Sequence, residues 1–61
     1  MSINQLLDWV RAEMSAAGFD LLAAERTKDD VRWAVAWRKT ECLREIEAIL
    51  NRELEAHRVG L

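Results

Sequence analysis

Four side chains are of types that do acid–base, nucleophilic or metal chemistry when suitably placed: Cys42, His57 and the adjacent carboxylates Asp29 and Asp30. A nucleophilic thiol needs a base beside it and a group that orients the base. No histidine or aspartate stands at helical spacing from Cys42, so a structural thiol on an apolar face accounts for it better. One histidine and one cysteine fall far short of a four-ligand zinc site. His57 reads as a partly exposed packing residue. Asp29 and Asp30 are neighbours in sequence, so their carboxylates point apart. A solvated turn or a helix start explains them. The glutamates of the last third read as a solvated helix face. With two glycines in the chain there is no phosphate-cradling loop. These residues argue against an enzyme, and no cofactor and no metal are expected.

Recognition is the other chemistry on offer. The stretch Val31-Arg32-Trp33-Ala34-Val35-Ala36-Trp37-Arg38 holds two of the three tryptophans. Arginine outnumbers lysine in the chain, and its planar fork suits carboxylate, phosphate and aromatic contacts. Tryptophan and arginine are the types enriched at interface hot spots. Charge is uneven along the chain. Residues 25–40 carry Arg26, Lys28, Arg32, Arg38 and Lys39 against Glu25, Asp29 and Asp30, whereas residues 41–61 are net acidic.

The elements that must position these side chains begin with an amphipathic helix. Ser2 and Gln5 form a capping-box pattern. Ile3, Leu7, Val10, Met14 and Ala17 then recur at alternating spacings of four and three. Gly18 fits the left-handed position that ends helices, with Phe19 supplying the accompanying apolar contact. Trp9 lies off the centre of the stripe. Val31, Trp33, Val35 and Trp37 alternate strictly with Arg32, Ala34, Ala36 and Arg38, which is the period of a half-buried strand. Phe19, Leu21 and Ala23 alternate in the same way, and a loop over residues 26–30 would pair Ala23 with Trp33, Leu21 with Val35 and Phe19 with Trp37. Thr40 can cap a second helix whose inner face carries Cys42, Leu43, Ile46, Ile49, Leu50 and His57, with Leu54 at its edge. Gly60 would end it.

The expected fold is therefore α+β, a single domain over residues 1–61 with two helices packed on a β-hairpin: helix about 2–17, strand about 19–25, strand about 31–38, helix about 40–58. The alternative is an all-α helical hairpin whose long second helix starts near Thr27 or Asp29. Two points count against that alternative. The stripe through Leu43, Ile46 and Leu50, extended backward, meets charged residues while Trp33 and Trp37 fall on a polar face. A helix of about 30 residues would also overhang a partner of about 16.

A chain of 61 residues buries a marginal core, so self-association, as a homodimer, is expected. No apolar run reaches the roughly 20 residues of a membrane span. Met1-Ser2-Ile3-Asn4-Gln5 lacks the pattern of a secretory signal, and a single cysteine forms no intrachain disulfide. A cytoplasmic location follows.

The candidate partner-binding residues are Arg26, Arg32, Arg38, Ala34 and Ala36, which with Leu22 and Ala24 would make a flat apolar patch with an arginine rim. Trp33 and Trp37 are the anchor in the all-α alternative. In size and style such short acidic chains resemble the accessory and inhibitor proteins of bacteriophages and mobile elements, with no residue motif behind the likeness. A non-catalytic protein-binding module is the expected function, and the alternative is a nucleic-acid binder that uses the same arginines.

Overall fold

The computed structural model of the chain describes residues 1–58 and is a helical hairpin. Helix α1 runs Ile3–Thr27 and helix α2 runs Asp30–Arg58. At about 1.5 Å per residue they extend roughly 37 and 43 Å, and the hairpin measures 49 Å along its long axis. Among the described residues there is no strand.

Ser2 caps α1 as its sequence requires. Its hydroxyl accepts from the Gln5 backbone N–H at 3.1 Å, and the Gln5 side chain accepts from the Ser2 N–H at 2.9 Å. The helix then continues through Gly18, where a terminus was expected. Glycine inside a helix costs about 1 kcal/mol relative to alanine. The following Leu-Leu-Ala-Ala-Glu run is a good helix former, and it extends the buried stripe by two more steps, Leu21 and Ala24. Ala24 is fully buried and Leu21 half-buried. That burial outweighs the single glycine penalty.

The turn is built from two residues, Lys28 and Asp29. Lys28 adopts the left-handed conformation (φ 55°, ψ 39°), and its N–H donates to the last carbonyls of α1. The Asp29 N–H donates to the Ala24 carbonyl at 3.0 Å. The two bonds form a Schellman-type ending in which a lysine stands where glycine is usual. The Asp29 carboxylate then accepts from the Arg32 N–H at 3.0 Å and caps the start of α2. Asp29 and Asp30 are thus a helix start.

Both helices present the seven-residue pattern of a two-stranded seam. In α1 it runs Ile3, Leu7, Val10, Met14, Ala17, Leu21, Ala24. In α2 it runs Trp33, Ala36, Thr40, Leu43, Glu47, Leu50, Leu54. Leu7, Val10, Ala17, Ala24, Ala36 and Leu43 are buried. Near the turn the seam is lined by alanines, and toward the open end by leucine, isoleucine and valine.

The expected β-hairpin is overturned, and with it the strands over 19–25 and 31–38, the Ala23–Trp33, Leu21–Val35 and Phe19–Trp37 pairs, and the flat sheet patch. The first helix ends at Thr27 instead of residue 17, so its 25 residues come within about one turn of the 29 of α2 and the large overhang does not arise. The phase objection fails because two polar residues sit in the α2 seam with their polar atoms provided for. The Thr40 hydroxyl donates to the Ala36 carbonyl at 2.9 Å, one turn back in its own helix, instead of capping a new one. Glu47 turns its carboxylate to Arg11 of α1 at 3.2 Å. The strict alternation of residues 31–38 is accommodated because Val31 and Val35 remain on the surface of α2. Cys42, Ile46 and Ile49 are exposed, not inward, because the seam passes through Leu43, Glu47 and Leu50. Gly60 lies outside the described residues.

Candidate binding surface

Trp33 and Trp37 are one turn apart on α2, and their rings stack with centroids 5.5 Å apart and planes inclined by 7°. Spacing i, i+4 places both side chains over the same stretch of helix surface. Trp33 lies at the edge of the seam, where its indole N–H donates to the Glu25 carboxylate of α1 at 3.3 Å. Trp37 lies farther out. They keep 36% and 43% of their surface open to solvent. The Trp33–Glu25 bond fixes one ring against α1, and the stack transmits that restraint to the other.

The same side of the hairpin carries Leu22, three residues before Glu25 on α1 and 55% exposed. Arg26 is one turn beyond Leu22 and exposed. Ala34 stands one turn before Trp37 on its outer flank, exposed, and Arg38 follows one turn after Ala34. The result is a stacked aromatic pair near the turn, with an aliphatic neighbour and a charged rim. Aromatic side chains offer large contact area at little conformational entropy, which is the composition of an interface anchor.

The expected site residues do not all join it. Ala36 is buried in the seam, as is Ala24, so neither faces a partner. Arg32 lies on another side of α2, where its guanidinium meets the Asp20 carboxylate of α1 at 3.1 Å. Lys39 pairs with Glu13 at 3.1 Å. Lys28 occupies the turn. The basic residues of segment 25–40 are thus dispersed around the hairpin, two of them neutralised by carboxylates, where a phosphate backbone needs a contiguous stripe.

No arrangement of acid, base and nucleophile converges among the described residues. Cys42 is exposed on the outer surface of α2. An open depression of about 430 Å³ at the free end of the hairpin is lined by Asn4, Leu54, His57 and Arg58. Nothing groups three or more histidine, cysteine or acidic side chains for a metal ion among the described residues. No described helix is long and apolar enough to cross a membrane. No protein-family model, no curated protein and no solved structure matches the chain.

A second exposed apolar row escaped sequence analysis. On α1, Trp9, Ala16 and the half-buried Ala23 recur every seven residues; on α2, the exposed Val35, Cys42 and Ile49 do the same. A seven-residue repeat places each trio on one helix face. The signal was present in the sequence, but reading residues 19–38 as strands cut both repeats in two.

Proposed function

We propose that the chain is a non-catalytic protein-binding module, located in the cytoplasm, that acts as an accessory or inhibitor by occupying the surface of another protein. The observation that carries this reading is the exposed Trp33–Trp37 stack, held to α1 by the Trp33–Glu25 bond. Exposed tryptophans cost solvation unless something covers them. Here they are pre-positioned, so little side-chain entropy remains to be lost on binding. The partner that suits them presents an apolar pocket or groove near the hairpin turn, with polar groups at its edge for Glu25, Arg26 and Arg38. Dispersal of the basic residues favours a protein over a nucleic acid.

Affinity capture with tagged chain, from lysate split into nuclease-treated and untreated halves, tests the reading. It predicts one protein retained in both halves by the wild type and lost by Trp37→Ala. Material lost on nuclease treatment, and kept by Trp37→Ala, would replace the reading with nucleic-acid binding.

A further inference from the structure

We infer, resting on the partner-binding reading above, that the partner at the tryptophan stack presents an arginine side chain, which lies on the free face of Trp37 and pairs with Glu41. Residues at four-residue steps form one ridge on a helix surface. The ridge that carries the stack reads Asp29, Trp33, Trp37, Glu41, Glu45, so the two indoles stand between carboxylates at both ends. Glu25 of α1 adds a third carboxylate, at the Trp33 indole N–H. Asp29 is committed, because it caps α2. Glu41 is not. It is half-buried, and among the described residues it joins no ion pair. Arg38 and Arg44 stand three residues to either side of it, in the neighbouring rows, yet neither comes within ion-pair distance. One face of the Trp37 ring is taken by Trp33. Helical side chains lean toward the N-terminus, which brings the Glu41 side chain over the turn that carries the other face. A partly desolvated carboxylate beside an aromatic face is the complement of a cation.

The hairpin leaves room for that side chain. On this side of the seam Glu25 meets Trp33 and Arg11 meets Glu47, fourteen residues apart on each helix. Midway between them the same register sets Gly18 of α1 opposite Thr40 of α2, which lies between Trp37 and Glu41 in sequence. At that step α1 has no side chain, and a methyl group built on Gly18 meets nothing within 4 Å. The Thr40 hydroxyl is turned to its own helix, on the Ala36 carbonyl. Glycine in a helix interior costs about 1 kcal/mol relative to alanine. Here it neither ends the helix nor lets α2 approach closely, and what it provides is open space beside Trp37 and Glu41. Arginine suits that space better than lysine does. Its planar guanidinium stacks on an indole while its N–H fork donates to a carboxylate, and it is more weakly hydrated than an ammonium. An uncharged side chain there would bury Glu41 further without a partner. A single partly buried ion pair is screened little by salt, so the contact adds only a shallow salt dependence.

The probe is a capped leucine–arginine–leucine tripeptide, titrated into the full chain beside the same peptide with norleucine in place of arginine. The readout is the indole N–H signals of the three tryptophans in nitrogen-15 correlated spectra. Trp9 serves as the internal reference, since at about 100° per residue it lies about 160° around α1 from Glu25. Saturable shifts are expected at Trp33 and Trp37 and not at Trp9, with the arginine peptide bound about tenfold more tightly than the norleucine peptide. Glu41→Gln should remove most of that preference, leaving the norleucine peptide within about twofold of its wild-type affinity. Gly18→Leu, which fills the open space, should weaken the arginine peptide about tenfold with helix content unchanged. Equal affinity for the two peptides, a preference that survives Glu41→Gln, or shifts at Trp33 and Trp37 no larger than those at Trp9 would each overturn the inference. Capture from lysate separates it from the reading beneath it. A partner lost by Trp37→Ala and kept in full by Glu41→Gln overturns the arginine contact alone, whereas a partner kept by Trp37→Ala overturns both.

Discussion

The Thr40 hydroxyl donates to the carbonyl of Ala36, 2.9 Å away and one turn earlier in the same helix. That bond lets a polar residue occupy the seam between the helices without a partner from across it. Thr40→Val removes the hydroxyl while the Ala36 carbonyl keeps its backbone N–H. Urea denaturation should show stability unchanged or raised by up to about 1 kcal/mol. A loss of more than about 1 kcal/mol would mean that the hydroxyl has a partner across the seam.

Ala34 and Ala36 are two residues apart, one exposed and one buried. In a strand they would share a face; in α2 they do not. Ala36→Leu forces a larger side chain into a seam where α1 and α2 approach through alanines, and should cost about 1–3 kcal/mol. Ala34→Leu should change stability by no more than about 0.5 kcal/mol. Equal effects from both would contradict the seam.

Gly18 stays helical, and a methyl group built on it meets nothing within 4 Å. Gly18→Ala should therefore stabilise the chain by about 0.5–1 kcal/mol, through helix propensity and a less flexible unfolded chain. A destabilised variant in thermal denaturation would show that the glycine ends the helix after all.

At the turn, Lys28 holds a left-handed conformation that L-residues other than glycine and asparagine seldom adopt. Lys28→Gly should stabilise by about 0.5–1 kcal/mol, while Asp29→Ala, which removes the cap on α2, should cost about 0.5–2 kcal/mol. Opposite signs at adjacent positions distinguish this turn from a solvated loop, where both changes would be near neutral.

Part of this architecture was legible in the sequence. The capping box at Ser2 and Gln5 and the stripe Ile3, Leu7, Val10, Met14, Ala17 are local patterns, and they were read as they fold. The middle of the chain misled for two physical reasons. Gly18 offered a stop that burial of Leu21 and Ala24 overrode. The alternation at residues 31–38 also fits a helix, because Trp33 and Ala36 enter the seam while Val31 and Val35 remain outside. Two polar residues in the α2 seam hid its period, since nothing local in Thr40 or Glu47 reveals a bond to Ala36 or to Arg11. For the candidate site, the types were legible and the placement was not. Trp33 and Trp37 form the exposed pair that the all-helical reading required, whereas Ala36 and Arg32 were assigned to a face that does not exist.

The affinity of the captured partner for wild-type chain and for Trp37→Ala, measured by calorimetry at two salt concentrations, tests the central claim most directly. An anchor of stacked tryptophans predicts a loss of about 10- to 100-fold on Trp37→Ala, equal to roughly 1.4–2.8 kcal/mol, with little dependence on salt. An affinity within about threefold of wild type, or one that falls steeply with salt in both proteins, would contradict it.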